Sequence, residues 1–160
     1  MTCSLLFVCY ENICRSSMAE GIFTKMIAER EHEEIFDVES AGTVCFQKGA
    51  PPDSRAIEIA REQGVDIADQ RAGCIKDLEL DYYTRIFTMD GQSYHDTIHY
   101  SASQRTLLPV YMVTDYLSDP ETTEIEDPYY GTKKDFLKVF QQLEEALVNI
   151  YEELLRQSGL

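Results

Sequence analysis

Leu5-Leu6-Phe7-Val8-Cys9-Tyr10-Glu11-Asn12-Ile13-Cys14-Arg15-Ser16 is the stretch that decides the fold of this chain. Its apolar start predicts a strand over residues 4–8, and the apolar spacing after it predicts a helix over residues 16–31. A tight loop between a strand and a helix aims backbone N–H groups and the positive end of the helix at an anion. A cysteine in such a loop is favoured as the thiolate, and an arginine beside it is placed to hold a phosphate through two parallel hydrogen bonds. The stretch therefore predicts a phosphate-binding loop whose nucleophile is Cys9 and whose cation is Arg15.

The rest of the chain alternates between strand and helix patterns. Further strands are predicted over residues 35–39, 85–89 and 107–111. A helix is predicted to begin after Asp53 and to stop at Gly64, a short helix lies near residues 76–80, and a long amphipathic helix covers residues 133–155. This alternation predicts an α/β fold, with a four-stranded, parallel, twisted sheet and helices on both faces. We expect a single domain spanning residues 1–160, with its site at the carboxyl end of the first strand.

Composition and charge narrow the classes of partner. The 160 residues are 44% hydrophobic and carry a formal net charge of −15, which argues against nucleic acid or an anionic membrane as a partner. No apolar stretch approaches the length of a membrane span. Five cysteines at irregular spacing favour reduced thiols in the cytoplasm over a secreted disulfide framework. Cys9 and Cys14 have a spacing compatible with zinc, but no second pair completes a tetrahedral set, so we expect no metal.

Asp127 is the candidate proton donor. Dephosphorylating a phenol requires a proton for the leaving oxygen and then a base for the attacking water, and a carboxylate in a loop suits both tasks. Asp127 and Pro128 also form a common turn dipeptide, so a purely structural role is the competing interpretation. Tyr129 and Tyr130 follow directly and are placed to wall a slot for a phenyl ring, although simple loop packing would also explain them.

Four segments in this order resemble the low-molecular-weight protein tyrosine phosphatases. They are Cys9-x5-Arg15-Ser16, Ser40-Ala41-Gly42-Thr43, Met89-Asp90 and Asp127-Pro128-Tyr129-Tyr130-Gly131. The resemblance implies hydrolysis of phosphotyrosine in proteins through a phosphocysteine on Cys9, with inorganic phosphate as product. Arg15 would bind the phosphoryl oxygens, and Asp127 would act as general acid and then general base. It implies no cofactor, and we expect a monomer.

The resemblance also implies roles for the residues around the loop. Asn12, Ser16 and Ser40 would form the hydrogen-bond network that shapes it, with Tyr10, Glu11, Ile13 and Cys14 completing the loop. Phe46 would stand beside the substrate pocket with Tyr129 opposite. Cys14 would form a reversible disulfide with Cys9 under peroxide.

Several positions depart from the family pattern. Glu11 stands where the family usually has Gly and would repel phosphate, and Ser17 replaces a Pro. Gln70 stands where a His is usual, and Gly73 where an Arg is usual. Glu11 and Gln70 support an alternative hypothesis, a catalytically weakened module that binds or senses phosphotyrosine. Thiol-linked arsenate reductases use a further closely spaced cysteine pair that this chain lacks, and Ile13 favours an aryl phosphate over the phosphoarginine of related arginine phosphatases.

Overall fold

Strand β1 (Cys3–Cys9) lies in the interior of the sheet, and its residues from Ser4 onward are buried. Burial on both faces explains why this stretch is apolar without alternation. Strands β2 (Phe36–Gly42), β3 (Arg85–Thr88) and β4 (Val110–Met112) complete a parallel sheet in the order β2-β1-β3-β4. The computed structural model describes residues 2–106 and 108–159. The predicted α/β class and the four parallel strands are confirmed.

Helices cover both faces of the sheet, as predicted. They are α1 (Arg15–Glu29), α2 (Ser54–Glu62), α3 (Gly91–Ser103) and α4 (Lys133–Gln157). Leu5 and Phe7 of β1 pack in one core cluster with α1, α2 and α4. Leu6 and Val8, which point to the opposite face, pack in a second cluster with residues 75–86 and with Tyr100 of α3. Each face of β1 therefore buries its own alternate set of side chains.

Helix α3 is the element that the sequence pattern missed. Its buried residues are polar, namely Ser93, Thr97 and Ser101, and their spacing of four residues places them on one face. Periodicity searches for apolar residues and does not register such a face. The start of α3 does carry a local signal, because Asp90 and Ser93 form a reciprocal capping box.

Smaller differences concern element boundaries. The predicted short helix near residues 76–80 is two 3₁₀ turns, Ile75–Asp77 and Leu80–Tyr82. The fourth strand begins at Val110 rather than at Leu107, a residue that lies outside the described part of the chain, as do Met1 and Leu160 at the ends of the predicted domain. Among the described residues, no helix has both the length and the apolar character needed to cross a membrane.

Candidate active site

The loop between β1 and α1 turns through a left-handed backbone conformation at Asn12. This residue has φ 62°, in the left-handed region that asparagine tolerates better than most residues. Its side chain is buried and forms three hydrogen bonds. The amide nitrogen Nδ2 donates to Ser16 Oγ at 2.6 Å and to Ser40 Oγ at 2.9 Å, and Oδ1 accepts from the backbone N–H of Gly73 at 2.9 Å.

This network makes the Ser16 hydroxyl a donor to the thiolate form of the nucleophile, which can only accept. Ser16 Oγ lies 3.0 Å from Cys9 Sγ. Because the Asn12 amide donates to Ser16, the Ser16 hydroxyl keeps its own proton free to donate to the sulfur. The Ser40 hydroxyl donates a hydrogen bond to Glu20 Oε1 at 3.0 Å. The hydrogen-bond network that Asn12 joins therefore ends at Cys9 Sγ on one side and at the Glu20 carboxyl group on the other.

Glu20 is a group that sequence reasoning did not select. Burial, more than the neighbouring Glu39 carboxylate, raises the pKa of Glu20 to about 7, against the opposing hydrogen bond from Ser40. Gln70, aligned with the family's usual His, donates from Nε2 to the backbone oxygen of Ser17 at 3.0 Å. It therefore braces the first turn of α1.

Arg15 is almost completely buried, with 2% of its surface exposed. Its Nη1 donates to Asp90 Oδ2 at 2.7 Å and to the backbone oxygen of Ile125 at 2.8 Å, while its Nε has no hydrogen-bond partner within residues 2–106 and 108–159. Burial acts to lower the pKa of this guanidinium, but the charges on Cys9 and Asp90 raise it above its ordinary value. A buried cation with an unused donor beside a cysteine is suited to an anionic ligand.

Asp90 is the partner that orients this cation. Burial acts to raise its pKa, but the Arg15 charge and the hydrogen bonds from Arg15 and Ser93 hold the pKa below its usual range. Asp90 follows β3 at the carboxyl edge of the sheet, where a site was expected. That position is the signal by which sequence analysis could have included it.

Asp127 comes from the opposite end of the chain and faces the same cavity. Its Oδ2 lies 3.8 Å from Arg15 Nη2, and its Oδ1 accepts the backbone N–H of Tyr129 at 3.1 Å. Arg55 on α2 fixes this loop by donating to the backbone oxygens of Tyr129 at 2.8 Å and Gly131 at 3.0 Å. The role of Arg55 could not be read from the sequence, since its partners lie far along the chain.

Together these elements enclose a cavity of about 180 Å³. Its walls include most of the predicted site residues, namely Cys9, Tyr10, Glu11, Ile13, Cys14, Arg15, Asp127, Tyr129 and Tyr130. The Tyr129 and Tyr130 rings stand nearly perpendicular, with centroids 5.0 Å apart, and Tyr130 is 95% exposed. Phe46 does not line this cavity and is 85% exposed, so its part in binding stays a prediction.

The cysteines differ from expectation in one pair. Cys45 and Cys74 form a disulfide, whereas Cys3, Cys9 and Cys14 are free thiols. The expectation that all five cysteines are reduced is therefore wrong for Cys45 and Cys74, which the fold brings together from separate segments. Burial, together with the charge on Cys9, raises the pKa of Cys14 far above its ordinary value and keeps it protonated.

Comparison with known proteins places this geometry in a family. The profile of the low molecular weight phosphotyrosine protein phosphatases matches residues 4–159. The human low molecular weight phosphotyrosine protein phosphatase is 32% identical over 88% of this chain and 89% of its own length. A crystal structure of a protein tyrosine phosphatase from Entamoeba histolytica, with Hepes in the active site, superposes with a TM-score of 0.87 at 30% identity, covering 99% of this chain and 100% of that one. An arginine phosphatase from Drosophila superposes with a TM-score of 0.86 at 25% identity, covering 94% and 96% of the two chains.

Proposed function

The chain belongs to the low molecular weight phosphotyrosine protein phosphatase family, and we propose that Cys9, Arg15 and Asp127 carry out its reaction. One observation carries the assignment. A cysteine, a buried arginine with a free donor and an aspartate from the far end of the chain line a single cavity. The alternative, a module that binds phosphotyrosine without turnover, has no support from the relatives, which are named as phosphatases.

The reaction proceeds in two displacements. In the first, the Cys9 thiolate attacks phosphorus, a sulfur–phosphorus bond forms, and the bond to the tyrosine oxygen breaks as Asp127 delivers its proton there. In the second, the Asp127 carboxylate takes a proton from water, whose oxygen attacks phosphorus and expels the Cys9 thiolate. The Ser16 hydroxyl, 3.0 Å from the sulfur, stabilises that leaving thiolate, and inorganic phosphate departs.

Arg15 and the loop backbone stabilise the charge on the transferring phosphoryl group. The unpartnered Nε and the Nη2 group that lies 3.8 Å from Asp127 are the donors left for phosphoryl oxygens, because Nη1 is engaged by Asp90 and Ile125. The α1 helix begins at Arg15 with no side-chain cap and no acidic residue in its first turn, so its N–H groups add to the positive field.

Two variants test these roles. Cys9→Ser is expected to abolish hydrolysis of p-nitrophenyl phosphate and trapping of the phosphocysteine. Asp127→Ala is expected to slow phenyl phosphate, whose leaving group needs protonation, about 100-fold, and to slow p-nitrophenyl phosphate much less. Equal slowing of both substrates would remove Asp127 from the acid role, and wild-type rates matching those of Cys9→Ser would remove Cys9 from the nucleophile role.

The substrate class is proposed to be phosphotyrosine in proteins, with basic residues near it. A cleft of about 530 Å³ shares Asp127 and Tyr130 with the catalytic cavity and is lined by four further acidic residues, Glu121, Glu124, Glu126 and Asp135. Peptides with basic flanks should be hydrolysed faster than acidic-flanked ones at low salt, with the preference shrinking as salt is added. Equal rates at low salt would contradict it. Phosphoarginine is the comparison substrate. Because apolar Ile13 lines the cavity, we expect the protein to hydrolyse phosphotyrosine in preference to phosphoarginine.

Two further expectations concern the protein as a whole. That it works as a monomer in the cytoplasm stays a prediction. Light scattering of the purified chain across a concentration series would contradict the first part if the mass exceeded that of one 18.4 kDa chain. Fractionation of the source cells would test the second.

A further inference from the structure

The Cys45–Cys74 disulfide anchors residues 42–50, a segment that lies beside the phosphate loop and is exposed at Phe46, Lys48 and Gly49. Both ends of this segment bind the same short stretch of chain. Gly42 donates its N–H to Gly73 O at 2.9 Å, and Gly49 donates to Ala72 O at 2.8 Å. Ala72 in turn donates its N–H to Ala50 O at 2.8 Å, and the disulfide joins the middle of the segment to residue 74, so three hydrogen bonds and one covalent bond hold it against residues 72–74.

The same segment contacts the catalytic loop directly. The N–H groups of Thr43 and Val44 donate to the backbone oxygens of Cys9 at 3.0 Å and Tyr10 at 2.9 Å. Phe46 follows the bridging cysteine and presents an aromatic ring that is 85% exposed. We call residues 42–50 the arm. It is hydrogen-bonded to the backbone of the nucleophile, is held by a disulfide at Cys45, and carries an exposed ring on the next residue.

We propose that the Cys45–Cys74 disulfide is a reversible brace that holds this arm in position to bind the peptide chain flanking the phosphotyrosine. The proposal deepens the phosphatase function above and rests on it. A preorganised arm binds with less loss of conformational freedom than a loose one, so the brace acts on the binding of peptides. A small aryl phosphate ends inside the catalytic cavity, which Phe46 does not line, and gains nothing from the arm.

The bond is placed for chemical reversal. Cys45 is partly exposed, whereas Cys74 is buried with 5% of its surface exposed, so an external thiolate reaches the disulfide at Cys45. A dithiol reductant attacks this sulfur, forms a mixed disulfide and releases the Cys74 thiolate, which takes up a proton. The second thiol of the reductant then attacks the reductant's own sulfur in the mixed disulfide and releases the Cys45 thiolate, which takes up a proton, while the reductant leaves as a cyclic disulfide. Exchange with a disulfide oxidant, which leaves as its dithiol, re-forms the Cys45–Cys74 bond. The arm keeps its backbone hydrogen bonds and the Lys48–Asp77 ion pair but loses its covalent anchor.

The experiment compares the wild type, prepared without reductant, with the double variant Cys45→Ser/Cys74→Ser. Rates are normalised to the phosphocysteine burst, so that oxidation of Cys9 does not enter. We expect the double variant, and the wild type after dithiothreitol, to show a KM about fivefold higher for a phosphotyrosine peptide. Their kcat for that peptide and their KM for p-nitrophenyl phosphate should stay unchanged.

Phe46→Ala separates an arm from a general stabilising bond. In the oxidised wild type it should raise the peptide KM by a similar factor, and in the double variant it should add little, because an arm without the disulfide no longer fixes the position of the ring. If the bridge only stabilises the fold, its removal would lower the melting temperature by about 10 °C and leave both KM values unchanged, which would overturn the proposal.

A thiol count and the activity on p-nitrophenyl phosphate test the existence of the bridge and the proposed function separately. Thiol titration of the denatured, unreduced protein should find three free thiols, since Cys3, Cys9 and Cys14 are unpaired. A count of five, the full number of cysteines, would mean that the bridge is absent and would also overturn the proposal. Failure of both proteins to hydrolyse p-nitrophenyl phosphate would count against the proposed function and not against the brace.

Discussion

Replacing Asn12 by Gly and by Ala separates its two contributions to the phosphate loop. Gly removes three side-chain hydrogen bonds, to Ser16, Ser40 and Gly73, and keeps the backbone at φ 62° accessible. At about 1 kcal/mol for each buried bond, Asn12→Gly should lower the free energy of unfolding by about 3 kcal/mol. Ala removes the same bonds and also resists the left-handed region, at a cost of about 1–2 kcal/mol.

Part of that extra cost is offset, because Gly gives the unfolded chain about 0.5–1 kcal/mol more conformational entropy. Asn12→Ala should therefore be less stable than Asn12→Gly by about 1 kcal/mol. Ser40→Ala removes one of the three Asn12 bonds together with the Ser40–Glu20 bond, so this control should cost about 2 kcal/mol, less than Asn12→Gly.

Urea unfolding at fixed pH measures these free energies, and competitive inhibition by inorganic phosphate measures the loop itself. Phosphate should bind more weakly in both Asn12 variants, because the loop loses its anchor on Gly73 and Ser40. If Asn12→Gly costs less than Ser40→Ala, or if Ala proves no worse than Gly, the reasoning that this residue holds the loop in a strained, hydrogen-bonded shape is refuted.

Three further predictions address the surroundings of the loop. Gly42→Ala would place a Cβ 2.8 Å from the carbonyl carbon of Glu11. We expect the free energy of unfolding in urea to fall by about 1–3 kcal/mol and inhibition by phosphate to weaken. Gly73→Ala is the control, because its Cβ would have its nearest neighbour at 3.7 Å, and it should unfold like the wild type. Glu20→Gln should flatten the pH dependence of stability. The folded protein holds the Glu20 proton more tightly than the unfolded chain does, so the free energy of unfolding of the wild type should fall by up to about 3 kcal/mol as pH rises from about 4.5 to 7. An unchanged slope in the variant would contradict this. Glu11→Gln should lower the KM for p-nitrophenyl phosphate about threefold at low salt by removing a carboxylate from the cavity wall, and a change that survives high salt would argue against a charge effect.

The parts of the fold that the sequence predicted are those where local pattern and burial agree. Strand β1 is apolar because it is buried on both faces, and α4 carries its core residues at helical spacing. Helix α3 escaped because its buried face consists of Ser and Thr. The sheet and the motif residues around Cys9 could thus be anticipated, whereas an element that buries hydroxyl groups could not.

The same limit applies at the site. The catalytic candidates stand in motifs with their own spacing, but their supports lie where only the folded chain brings them. Asp90 meets Arg15 across the edge of the sheet, and Cys45 meets Cys74 across a sequence separation of 29 residues. Asp90 stands in the Met89-Asp90 segment, but nothing local to that segment names Arg15 as its partner, and nothing near Cys45 points to Cys74. These partners become visible once the register of β1, β2 and β3 is known.

The start of α2 links the two halves of the chemistry. The N–H of Asp53 donates to Ile13 O in the phosphate loop at 2.8 Å, and its carboxylate binds Arg55, which holds the backbone of Tyr129 and Gly131 beside Asp127. Asp53 therefore positions both the loop of the nucleophile and the loop of the acid, although these come from opposite ends of the chain. Insertions in the connecting loops would leave their separation untouched. A compound that binds between Arg55 and the loop of Asp127 would change the distance between Asp127 and Cys9. It would slow protonation of the leaving group without competing for the phosphate site.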